Sequence, residues 1–190
     1  MKTFSQLLLL FIFLLIYSSS LHAQKKEPFD PHNLPVLVDT KVITYVEIIP
    51  VPGIHGMEVL TRGLNWFKSF YKNPTDVIRS VDSISGKIEG KARFKIYNPA
   101  DKKGLRTDAG NVEYSIMLNC KEAKFRYFIT GMNWKQASYY PVERWQDTTA
   151  QYYKKAYDYY LEQADSTVHG IIENLKSFMT KPPAEKKDDW

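Results

Sequence analysis

Two hydrophobic periods alternate along this chain. From Lys41 to Ile49, KVITYVEII is dense in β-branched residues and closes at the Pro50–Pro52 punctuation, which predicts a strand. Pro52-Gly53 turns the chain, and from Met57 the apolar residues Leu60, Leu64, Phe67 and Tyr71 recur at helical spacing beside Trp66 and Phe70. That helix is expected to end near Asn73-Pro74, because the residue before proline is pushed out of the helical region. Val77–Ser83 predicts a second short strand, and Ser85-Gly86 a turn. In KIEGKARFKIY, Ile88, Gly90, Ala92, Phe94 and Ile96 alternate with Lys87, Glu89, Lys91, Arg93, Lys95 and Tyr97, the period of two of a half-buried antiparallel strand. The small residues Gly90 and Ala92 on its inner face predict close approach of a helix, or a bend. After a polar loop, Val112, Tyr114, Ile116 and Leu118 mark a further strand, and Phe125, Tyr127 and Ile129 the next. Gln151–Met179 returns to the helical period, as one long helix or as two divided at the capping pair Asp165-Ser166.

The order β-α-β-β-β-β-α fits an α+β fold: a curved antiparallel sheet of about five strands, with helices on one face because the alternating strands have one apolar side. Gly131–Thr149, rich in aromatics, reads as an irregular segment. Met1–Ala23 has a basic start at Lys2, an apolar run from Leu7 to Tyr17 and the small polar Ser18–Ser20, the plan of a secretory signal peptide. The apolar run is well short of the roughly 20 residues that a bilayer-spanning helix needs, so no transmembrane span is expected after cleavage. Residues 24–35 read as a flexible lead-in, 36–180 as a single domain, and 181–190 as a disordered charged tail rooted at Pro182-Pro183.

VEIIPVPG, then LTRGLNWF, then VIRSVDSISGKIEGKA, then VEYSIML with KFRYFIT resemble, in that order, the family called domain of unknown function 4468. The resemblance covers Lys41–Met132 and is most specific at the Val-Pro-Gly turn, the Trp66-Phe67 pair and Gly86-Lys87-Ile88. It implies a fold like that of the TATA-binding protein and a small exported protein of Gram-negative bacteria. It carries over no catalytic or binding residue. The chain departs from the family at the helix start, where His55-Gly56 stands in place of a polar cap.

Composition narrows the chemistry. The single cysteine, Cys120, rules out an intrachain disulfide, although an exported protein meets an oxidising environment. It reads as a small buried hydrophobe near a strand end. Beyond the leader only His32, His55 and His169 could serve as a general base, and no Gly-x-Ser-x-Gly elbow is present, so no catalytic residue is assigned. No His-Glu-x-x-His, cysteine pair or calcium loop is present, so no metal or cofactor is implied. PGIHGMEVL lacks the Lys-Ser/Thr of a phosphate-cradling loop.

Two surfaces remain. Lys91, Arg93 and Lys95, with Lys87, point outward on one strand; Lys124, Arg126 and Phe128 do so on another. If those strands lie close together they form a basic patch with an aromatic, against the plainer reading of a solvated sheet face. The late aromatics Trp134, Tyr139, Tyr140 and Trp145 could line a stacking groove, against the reading that they are core. The net charge of +5 favours an acidic partner such as an envelope polymer or another envelope protein. Export argues against nucleic acid. The function expected is a non-catalytic exported binding module, in the periplasm or secreted. The alternatives are a small hydrolase acting on an envelope polymer and a structural homo-oligomeric subunit.

Overall fold

The computed structural model describes residues 29–136 and 138–181. The leader, residues 24–28 of the lead-in and residues 182–190 of the tail lie outside the described residues. The strands are β1 (Thr44–Pro50), β2 (Ile78–Asp82), β3 (Lys87–Tyr97), β4 (Asp108–Lys121), β5 (Lys124–Lys135) and β6 (Tyr139–Pro141). The helices are α1 (Gly56–Phe70), the single turn α2 (Pro74–Val77) and α3 (Ala156–Met179). All strand pairs are antiparallel, in the order β1-β5-β4-β3-β2, with β6 running beside β5 at Asn133–Lys135, past the end of β1. No helix among the described residues is long and apolar enough to cross a membrane.

The inner face of the sheet carries the core. Ile88, Ile96, Val112, Ile116, Leu118, Phe125 and Ile129 are all essentially inaccessible to solvent, following the alternation read from the sequence. Helix α1 lies across β3, β4 and β5 and is itself covered by α3, so it buries two sides. Phe67 faces the sheet, where a Cβ on Gly90 would stand 2.7 Å from its Cε1. That is the close helix approach expected at Gly90. Trp66 faces α3 and donates from Nε1 to Asn174 Oδ1 at 2.9 Å. The buried stripe is therefore Val59, Leu60, Gly63, Trp66 and Phe67, while Leu64 and Tyr71 are half-buried and Phe70 lies at its rim.

The missing cap of α1 is supplied from elsewhere in the chain. His55 makes no side-chain capping bond, but Glu122, in the turn between β4 and β5, accepts from Gly56 N at 2.9 Å and lies 3.0 Å from His55 Nδ1. A carboxylate there satisfies a free amide and opposes the positive end of the helix dipole. Glycine at position 56 permits it, since a Cβ would come within 3.3 Å of Glu122 N.

The structure makes two expectations more definite. The sheet has six strands, because Gly131 takes φ +62 and β5 runs on past it to pair with β6, inside the segment read as irregular. Of the one-helix and two-helix readings of the late segment, the single helix holds, and Asp165 lies within it with its carboxylate accepting the Tyr45 hydroxyl at 2.7 Å. Asp30 caps a 3-10 turn at Pro31–Asn33, Gln146 Nε2 donates to Pro31 O, and Leu34 is buried.

Candidate ligand cleft

The meander places β4 between β3 and β5, so the two basic strands are not neighbours. What β4 presents outward decides what happens to each. Register sets Arg93 beside Glu113, but the Glu113 carboxylate turns to the flanking lysines: Lys91 Nζ is 3.3 Å from one oxygen and Lys135 Nζ 3.4 Å from the other. Partial burial raises the Glu113 pKa, and hydrogen bonds from Lys91, Lys135 and Tyr139 outweigh it and hold the carboxyl below its usual range. Lys95 is paired with Asp108 at 2.7 Å, and Lys87 with Glu89 at 2.5 Å. Of the basic residues on β3, Arg93 alone has no carboxylate within 4 Å among the described residues.

Arg93 opens into a cleft of about 430 Å³. The cleft exists because β2 slips out of register between Ile78 and Ser80, and its pairing with β3 extends only from Lys87 to Gly90, leaving the upper part of β3 as a free edge. Helix α2, started by Pro74, forms the opposite wall. Lys72, Arg79, Lys91 and Arg93 line it with Glu113 and Tyr139, whose ring takes the Lys91 ammonium at 5.4 Å from its centroid. Arg79, like Arg93, has no carboxylate within 4 Å among the described residues. The cleft thus gathers two guanidinium groups without carboxylate partners among the described residues, two lysines and a half-exposed phenol ring, a composition chemically suited to an oxyanion. Asp76 also lines it, adding a carboxylate beside that of Glu113.

Residues 45–135 match the family described as domain of unknown function (DUF4468) with TBP-like fold. That segment is a DUF4468 domain. The chain is similar to the crystal structure of a DUF4468 family protein from Bacteroides ovatus ATCC 8483, at 15% identity and a TM-score of 0.60, over 75% of this chain and 89% of that one. It is likewise similar to a TBP-like protein from Parabacteroides distasonis ATCC 8503, at 10% identity and a TM-score of 0.58, over 75% of this chain and 95% of that one. At these identities the likeness concerns the fold. No curated protein matches the chain.

The DUF4468 domain contributes every lining residue of the cleft except Tyr139, which the adjoining β6 adds. The other half of the expected patch lies apart from it. Lys124, Arg126 and Phe128 sit on β5 beside Pro50, Ile48 and Val46 of β1, and the Arg126 guanidinium lies 4.8 Å from the Phe128 ring centroid. The stacking groove expected from the late aromatics does not form. Trp145 is fully buried, stacked on Tyr157 at 5.8 Å, and Trp134 is half-buried with its Nε1 donating to Ala109 O at 2.8 Å. Tyr140 packs edge-on against Trp134 beneath the Arg144 guanidinium, so of the four only Tyr139 faces a cleft. Sequence reasoning missed Lys72 and Arg79, because their convergence on Arg93 depends on the register slip in β2.

His55 and His169 each lie beside a carboxylate. His55 is exposed and occupied by Glu122. His169 Nε2 lies 3.4 Å from Asp165 Oδ1 in a broad groove that also contains Ser166, but that oxygen already accepts the Tyr45 hydroxyl. Among the described residues no hydroxyl is hydrogen-bonded to the imidazole of His55 or His169. Burial pushes the Cys120 thiol up to about 12, which removes thiolate at neutral pH. No cluster of three His, Cys, Asp or Glu side chains suited to a metal occurs among the described residues.

Proposed function

We infer that this is a non-catalytic, exported binding module that takes an acidic ligand of the cell envelope into the cleft between α2 and the free edge of β3. The observation that carries this reading is the convergence of Arg79 and Arg93, both without carboxylate partners among the described residues, on one cavity of about 430 Å³. A surface arginine elsewhere on the sheet can be left in water at no cost. Two that line one concavity repel when close, and an oxyanion bound between them removes that repulsion. The volume lies within the range of small-molecule sites, and Tyr139 offers a flat apolar wall. The plan of the first 23 residues supports export.

The test is equilibrium binding of residues 24–190 to a polyuronate, a sulfated polysaccharide and a neutral dextran. The parent is expected to bind at least one of the acidic polymers and not dextran. Replacing both arginines, Arg79→Ser with Arg93→Ser, should weaken binding at least about tenfold, as expected for losing two charge-assisted contacts. Unchanged affinity in that variant, with an unchanged melting temperature, would show that the cleft is not the site.

A further inference from the structure

The other half of the outer face has a different composition. Register aligns three cross-strand rows there: Val46, Phe128 and Met117; then Ile48, Arg126 and Asn119; then Pro50, Lys124 and Lys121. Val46 is 42% and Ile48 56% exposed, unusual for aliphatic side chains in adjacent rows of one strand. Every charged side chain in these rows is a cation, and none of the three has a carboxylate within 4 Å among the described residues. Ile48, Asn119, Lys121, Lys124 and Arg126 also border a hollow of about 150 Å³. On the β3 side the rows end in Lys87 and Glu89, which neutralise each other.

We propose that this half of the sheet docks on an anionic lipid surface, with Lys121, Lys124 and Arg126 against headgroup phosphates and Val46, Ile48 and Phe128 in the interfacial layer. Charge complementarity selects this occupant. A protein partner is recognised by mixed charges and directional polar groups around an apolar centre, whereas these rows offer cations, aliphatic tips and one amide. Cations beside exposed aliphatic side chains and a half-buried ring, on one open face, are what an interfacial membrane surface requires. Arg126 can serve both layers, since its guanidinium covers the Phe128 ring and leaves its edge free for phosphate oxygens.

The experiment is co-sedimentation of residues 24–190, which contain the whole described core, with vesicles of phosphatidylcholine alone and with about one third phosphatidylglycerol. Binding is expected only to the anionic vesicles. Changing Lys121, Lys124 and Arg126 together to Ser should reduce it on the order of 100-fold, since each basic residue near an anionic surface adds about fivefold. Changing Val46 and Ile48 to Ser should reduce it about tenfold with the charge intact. The cleft variant with Arg79 and Arg93 replaced should bind vesicles as the parent does, which separates this surface from the ligand cleft. All these positions are exposed or lie at strand surfaces, and unchanged melting temperatures verify folding. Failure to bind anionic vesicles at low salt overturns the proposal. So does full retention by the Val46 and Ile48 variant, or release by inorganic phosphate at constant ionic strength, which marks a free-anion site. A dimer in sedimentation velocity that Ile48→Ser dissolves would also overturn it, giving the face to a second copy.

Discussion

The two faces of β3 show how differently one strand can be used. Its inward residues Ile88, Ala92 and Ile96 are buried beneath α1 and α3, and Gly90 lies against Phe67 of α1. Its outward residues meet side chains from the strand beside it and then solvent. On the inner face geometry alone decides what fits; on the outer face what matters is which charges are left over once neighbours have paired. Stability and binding are therefore expected to separate by face, and substitutions on either side can break or sharpen that separation.

The largest effect is expected behind the inner face. Trp145 is fully enclosed by Trp134, Tyr157 and Tyr160, with ring centroids 5.5, 5.8 and 5.5 Å away. Trp145→Ala should lower unfolding free energy by about 4 kcal/mol, from lost transfer energy and the cavity left behind. Chemical denaturation of the variant measures this directly. A loss under about 1 kcal/mol would mean that the aromatic segment is not core, and would return these residues to the groove reading. Next comes Gly90→Ala. The added methyl would stand 2.7 Å from Phe67 Cε1 and 3.2 Å from Ile116 Cγ2, both in fully buried side chains. Overpacking should outweigh the gain in strand propensity, leaving a net loss of about 1–2 kcal/mol. A stabilised variant would show that α1 can lift from the sheet at little cost. Neither substitution should alter ligand or vesicle binding at temperatures where the protein is folded.

The same division explains what the sequence could reveal. The inner face was legible because a period of two names the buried residues without knowledge of their partners, and Gly90 signalled the helix above it. The outer face was only half legible. A meander already places β4 between β3 and β5, so Glu113 had to be counted before Lys91, Arg93 and Lys95 could be summed as free charge. The recruitment of Lys72 and Arg79 rests on a register slip, and that of Tyr139 on β5 continuing beyond Gly131; neither has a local composition signal. Aromatic spacing was ambiguous for a different reason, since a buried ring and a stacking platform use the same residue types. The cap on α1 was hidden because Glu122 is distant in sequence and adjacent only after β4 and β5 pair.

The smallest effect is expected on the outer face itself, at Glu113. Its carboxylate is held below the ordinary range, with burial opposing and the hydrogen bonds from Lys91, Lys135 and Tyr139 prevailing. A depressed folded pKa contributes stability that is present above the unfolded value, about 4.3 for Glu, and is lost as pH falls through the folded value. Glu113→Gln should therefore cost only roughly 0.5 kcal/mol at pH 7, as for a partly solvated pair, and the cost should fade as pH falls from the unfolded value through the lower folded one. The same change releases Lys91, which lines the cleft, and raises its positive charge by one. Affinity for an acidic ligand should rise while stability barely moves, and it should rise with a steeper dependence on salt. If Glu113→Gln instead weakened binding at unchanged stability, the carboxylate would be an acceptor for the ligand rather than a clamp on its lysines, and the outer face would read as a site of fixed geometry, like the inner one.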